Sequence, residues 1–228
     1  MATASATHRE VTMCTACPDP GLEDHGLRHP FRTTPTYLVR SVGDMTTPRS
    51  TPPPATQERA DLVDVLRKHR GLFRLTVAGL TDEQARLTPT VSTLSLGGLI
   101  KHVTAVEQQW ASFVVDVPAP SPDIDWANID WSDPPPEVQQ YADGFRMLED
   151  EGLAGLLARY DEVAAATDEL VLSVELDALQ PLPKAPWFEP GASWSARRVF
   201  THILAETAQH AGHADIIRET IDGQKSMG

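Results

Sequence analysis

From Gln57 onward, apolar residues recur every three or four positions along most of the chain. That spacing predicts four long helices. Helix one runs from Gln57 to about Ala78, with Leu62, Leu66, Phe73 and Val77, joined by Val65, Leu72 and Leu80, as its apolar stripe. "LTDEQARLTP" then reads as a short helical turn. Thr81 caps it, Asp82 and Glu83 sit near its start, and Pro89 ends it. Helix two is "SLGGLIKHVTAVEQQWASFVV", with Ser95 as N-cap and Leu99, Val103, Val106, Trp110 and Phe113 facing inward. Helix three covers Gly152 to Val174 on a face of Leu153, Leu156, Leu157, Tyr160, Val163, Ala164 and Leu170. Helix four runs from about Ser195 to Asp222 and stops at Gly223.

The connections are unequal. Helix two is followed by "DVPAPSPDIDWANIDWSDPPPE", an acidic, Pro-rich loop. Its Trp126 and Trp131 predict that it folds back, either as a lid or wall of a site or in simple packing. A second Pro-rich connection, "LDALQPLPKAPWFEPGAS", follows helix three. No strand pattern and no exact repeat stands out. Four long helices with mixed connections predict an all-α four-helix bundle over residues 56–228, with long loops after helices two and three. Residues 1–55 are rich in Thr and Pro and lack a sustained helical period. They read as a disordered N-terminal extension. Met45 lies within it, so a natural start at Met45 is the alternative reading.

Composition removes several function classes. Of the 228 residues, 19 are Lys or Arg and 32 are Asp or Glu, a formal charge of −13. A surface so acidic disfavours broad nucleic-acid binding, which depends on neutralising phosphates, and adsorption to anionic lipid. No apolar run approaches the ~18–20 residues of a membrane span, and the first residues lack the apolar core of a secretory signal. A cytoplasmic location is the expectation. The two cysteines, Cys14 and Cys17, form a CxxC in a polar, Pro-bearing lead. With no second CxxC and no βαβ pattern, the pair is a weak signal for redox or zinc chemistry.

The candidate chemistry lies in "ETAQHAGHADIIRE" on helix four. At ~100° per residue, His210 falls about +40° and His213 about −20° from Glu206. Val199, Ile203 and Ile217 lie on nearly the same line, so this stripe is apolar at both ends and ionisable in the middle. Unpaired buried polarity costs several kcal/mol, and a metal ion is one efficient partner for it. Glu206 and His210, one turn apart, can converge on one ion. A third ligand must come from another helix. His102, beside Leu99, Val103 and Val106 on helix two, is the best candidate, and Glu107 is a weaker one. One Glu and two His suit Zn²⁺ with a fourth position open; Ni²⁺, Mn²⁺ and Fe²⁺ are also compatible. Two plainer readings give the same spacing. One is a histidine-rich solvated helix, since His202 lies one turn before Glu206; the other is a simple i, i+4 contact.

"SLGGLIKHVTAVEQQW", followed much later by "WSARRVFTHILAETAQHAGHADIIRETIDG", resembles the DinB-like, YfiT-like four-helix metal-binding proteins. More narrowly, it is similar to their actinobacterial branch of mycothiol-dependent transferases. The likeness covers about Ala55 to Gly223, leaving the first 50 residues without a counterpart. It implies a bundle holding a divalent metal, commonly zinc or nickel, on three side chains. These map to His102, Glu206 and His210. Many members have histidine at the position of Glu206, whereas the mycothiol-dependent maleylpyruvate isomerases use glutamate. Those isomerases also carry a further C-terminal domain and a carboxylate at the position of His213, which points away from isomerase activity here.

The implied reaction is thiol transfer. The metal would activate mycothiol or a similar low-molecular-weight thiol for attack on an electrophilic small molecule. His213 is the catalytic candidate: it accepts a proton or orients bound water, or else it supports the site from outside. Asp215 and Arg218 are expected to pair with each other or with neighbours. Arg197 and Arg198, near the helix start, either meet an anionic group of the thiol or are solvated. A metal-dependent hydrolase and a non-catalytic, metal-stabilised stress-response or interaction bundle are the competing classes. By analogy with related bundles, a homodimer is expected.

Overall fold

The structure, a computed structural model, describes residues 56–116, 129–130, 133–183 and 188–227. The CxxC at Cys14 and Cys17, the alternative start at Met45, and the loop tryptophans Trp126 and Trp131 lie outside the described residues. Every element described below belongs to one unit of the chain.

Six helices appear among the described residues: α1 (Gln57–Leu75), α2 (Asp82–Arg86), α3 (Leu96–Val115), α4 (Pro136–Asp143), α5 (Leu153–Ser173) and α6 (Ala196–Asp222). The four long ones make the predicted bundle. α3 packs on both α5 and α6, and α1 closes the ring against α6 and, more sparsely, α5. None of the described helices is long and apolar enough to cross a membrane.

Local chemistry sets the helix ends. Ser95 and Ser195 accept from the backbone N–H of Gly98 and Arg198, each at 3.2 Å, capping α3 and α6. Thr81 and Gln84 form a reciprocal capping box on α2. Gly223 takes φ 77°, the left-handed turn that ends α6. Two arginines complete carbonyls left open at other ends, and a third holds the loop before α5. Arg59 donates to Val171 O at the end of α5, at 2.6 Å. Arg218 donates to Thr76 O and Ala78 O beyond α1, at 3.0 and 2.9 Å. Arg86 ties α2 to the carbonyls of Leu148, Glu149 and Glu151. Arg218 also pairs with Asp222, while Asp215 accepts from Ser226, so these two side chains serve neighbours rather than each other.

Four elements differ from expectation. α1 stops at Leu75, about one turn early, where the Thr76 hydroxyl donates to Phe73 O and the chain turns through Gly79 at φ 73°. α4 emerges from a stretch that reads as loop. Its Pro-rich start fits a first helical turn, but only Val138 is buried along it, too little for a visible period. Leu179–Pro181 (β1) and Ser193–Ser195 (β2) pair antiparallel, although no strand pattern is evident. Three residues per strand carry no usable alternation.

The core lies in two clusters along the bundle. One gathers Phe73, Leu96, Leu99, Ile100, Val103, Tyr160 and Ile217. The other gathers Leu66, Phe113, Val171, Val199, Phe200 and Ile203.

Candidate metal centre

α3 and α6 bring His102, Glu206 and His210 together. One potential ligand atom from each lies within 4.8 Å of the other two. The residues are only 8%, 7% and 2% exposed. The approach follows from the stripes: Leu99 and Val103 on α3 and Ile203 on α6 are buried around the ionisable groups. His102 and His210 meet nearly edge to face, with ring centroids 5.0 Å apart.

The polar atoms of this cluster are not satisfied by protein alone. His102 Nε2 and Glu206 Oε2 are buried without a hydrogen-bond partner. Glu206 Oε2 lies 3.6 Å from His210 Nε2, longer than a hydrogen bond. Two buried donor-set atoms without partners, one on a carboxylate and one on an imidazole, are what a divalent cation would complete. The residues present therefore fit a metal.

The electrostatics favour ligation as well. Burial pushes the His102 imidazole down to about 4; His210 adds to the shift and Glu206 opposes it. Burial acts on Glu206 in the opposite sense, raising it. The contact with His210 and the charges of His202, His210 and His102 outweigh burial and hold its carboxyl below the ordinary value. Near neutral pH, His102 is thus a neutral ligand and Glu206 an anionic one, the protonation states a metal needs.

Each member of the cluster has a distinct neighbour. His213 Nδ1 lies 3.4 Å from His210 Nδ1, and its pKa is lowered by burial and by His210. His202, one turn before Glu206, places Nε2 3.6 Å from Glu206 Oε1. Phe145 stacks on His102 with centroids 4.5 Å apart and planes 24° apart. Phe145 itself follows α4, so the element missed from sequence flanks one ligand. The remaining candidates go elsewhere. Glu107 is buried but bonds Arg70 on α1, not the cluster. Arg197 pairs with Glu58 and Asp177, and the Arg198 guanidinium lies 4.4 Å over the Trp194 ring.

Backbone proximity holds Phe145 in place. A Cβ added at Gly98 would stand 2.2 Å from Phe145 O and 3.0 Å from its carbonyl carbon. Backbone on both sides leaves little room to yield. Gly98→Ala is therefore expected to destabilise the fold by ~1–3 kcal/mol, read as a lowered midpoint in urea unfolding. An unchanged midpoint would contradict this packing.

The mycothiol-S-transferase family matches residues 61–223. The chain belongs to this family. The mycothiol-S-transferase match runs from within α1 to Gly223 and includes all three members of the buried cluster. No curated protein matches the chain. Among solved structures, a conserved protein from Enterococcus faecalis is similar, with 16% identity over 72% of this chain and 97% of that one, and a TM-score of 0.49. Two features of this mycothiol-S-transferase family member were not foreseen in its sequence. The aromatic surroundings of His202 needed the position of Trp194 in β2, and the Arg70–Glu107 pairing needed the packing of α1 on the core. The one available signal was the spacing of His202 four residues before Glu206.

Proposed function

We propose that the protein is a metal-dependent S-transferase that uses mycothiol or a similar low-molecular-weight thiol against an electrophilic small molecule. The observation that carries this reading is the buried His102–Glu206–His210 cluster with its two orphaned atoms, in a chain of the mycothiol-S-transferase family. His102, Glu206 and His210 would hold the ion, Zn²⁺ first and Ni²⁺ as the alternative. A divalent cation there supplies a Lewis acid that lowers the pKa of a nearby thiol, so that thiolate is available near neutral pH. The thiol proton leaves to solvent, sulfur bonds to the electrophilic carbon, and the displaced group departs with its electron pair.

The chain's own groups prepare this chemistry. One carboxylate and two imidazoles leave a divalent ion with net positive charge, which favours an anionic sulfur over a neutral one. The surrounding apolar residues lower the local dielectric and strengthen that preference. His213 supports His210. With an ion held at its other ring nitrogen, His210 would carry the hydrogen on Nδ1, which lies 3.4 Å from His213 Nδ1. Of the roles expected for His213, orientation of a ligand is the one this contact favours over proton acceptance. A reducing cytoplasm, where small thiols persist, is the setting that suits the reaction.

The test is turnover of an electrophile panel with and without mycothiol. Product that requires thiol, and that disappears on chelation, is expected. Turnover without thiol would replace this reading with a hydrolase. No turnover across the panel by metal-loaded protein would favour a non-catalytic bundle.

A further inference from the structure

Glu206 is a flexible ligand, and a side chain outside the cluster faces its second oxygen. We propose that His202 positions the Glu206 carboxylate for metal, and that Trp110 and Trp194 hold His202 for this task. The inference rests on the metal-site reading above and adds a residue to it.

The two oxygens of Glu206 face different partners. Oε2 lies toward His210, and Oε1 lies 3.6 Å from His202 Nε2. His202 and Glu206 are one turn apart on α6, so the imidazole reaches the carboxylate from the side opposite His210. A glutamate has three rotatable bonds, and an imidazole close against the outer oxygen, although beyond hydrogen-bond length as is the His210 approach, limits where the inner one can point. Groups of this kind commonly set both the orientation and the affinity of a metal ligand.

The second observation is how His202 is held. Its ring meets Trp110 at 4.9 Å and 81°, and Trp194 at 5.2 Å and 70°, edge to face in both cases. The two indoles stack on each other at 4.8 Å and 15°. Trp110 also packs on Phe113 in the core, and Arg198 covers Trp194. The imidazole is thus clamped by residues from α3 and β2 while belonging to α6. The short hairpin gains a purpose from this: β1 pairs with β2, and β2 carries Trp194. A half-buried histidine clamped by two tryptophans is more fixed than a surface i, i+4 contact, and its ring nitrogen is aimed at one carboxylate oxygen.

Titrations of metal-free protein with Zn²⁺ and Ni²⁺ against a competing chromophoric chelator test the proposal. His202→Phe keeps an aromatic ring in the clamp but removes the donor. Its affinity is expected to fall ~10–100-fold. His202→Gln retains an N–H donor at similar reach and is expected to bind within about threefold of wild type. Metal-free melting temperatures should match wild type for both variants. His202→Phe binding within about threefold of wild type would overturn the proposal. So would an equal loss in both variants, which would mean the imidazole itself ligates. Wild-type protein that binds neither metal would instead overturn the metal-site reading.

Discussion

Replacing His210 with alanine is expected to take bound divalent metal from about one ion per chain to almost none. Structural zinc sites gain roughly 10–16 kcal/mol from about four ligands, so one ligand accounts for about 2.5–4 kcal/mol, roughly a hundredfold in affinity. His102→Ala should behave in the same way, because the cluster draws one ligand from α3 and two from α6. His69, on α1 and outside the cluster, is the control, and His69→Ala should retain metal. Elemental analysis of the four purified proteins reads the result directly. Equal metal in all of them would remove the proposed triad. Metal-free stability should move the other way. Glu206 Oε2 is buried and orphaned, so Glu206→Leu exchanges a desolvated carboxylate for an apolar side chain of similar size. That variant should lose metal yet melt above metal-free wild type, a common trade between stability and function.

The second large effect concerns the buried ion network. Arg70 on α1 grips Glu107 on α3 with two nitrogens, at 2.6 and 3.2 Å, and donates to Asp168 on α5 at 2.7 Å. Its side chain is 5% exposed and that of Glu107 is 1%. Arg70→Met leaves the Glu107 carboxylate buried with no cation. The expected loss is ~3–5 kcal/mol, measured by urea unfolding of metal-free protein. Met at both Arg70 and Glu107 should recover most of it, since removing both charges removes the desolvation problem too. Asp168 would still keep Arg67, 2.7 Å away. Arg67→Ala should cost less than about 1 kcal/mol, because that side chain is 65% exposed. An Arg70→Met loss below about 1 kcal/mol would show that the network is not what locks α1, α3 and α5 together.

α3 carries one residue of the network and one of the cluster, which explains why helical geometry alone was a partial guide. His102 and Glu107 are five positions apart, and both are buried. From the stripe of α3, Glu107 reads as a weak ligand candidate. Its partner is a residue of α1, and no feature of α3 discloses that pairing. The same holds for α6, where His202, Glu206, His210 and His213 share one side at spacings of four and three. Which of them meet His102 depends on the register of α6 against α3. The motif likeness supplied an expectation for that register, and the packing places Glu206 and His210 beside His102.

The sequence by itself determined the long helices, most of their ends and the family likeness. The reason is local: apolar period, Ser95 and Ser195 caps, and the Gly223 stop act through neighbours along the chain. The short α2 was legible from its Thr81 cap, but α4 and the paired strands escaped it. α4 buries one residue and the paired strands have three residues each, so their stability comes from contacts with the bundle rather than from their own pattern. Only the tertiary structure decided which polar residues are partnered. It assigned Glu107 to Arg70, set Phe145 against His102, aimed His202 at Glu206 from between two tryptophans, and left His102 Nε2 and Glu206 Oε2 without protein partners. Those outcomes turn on distances between residues far apart in the chain, which helical periodicity does not encode.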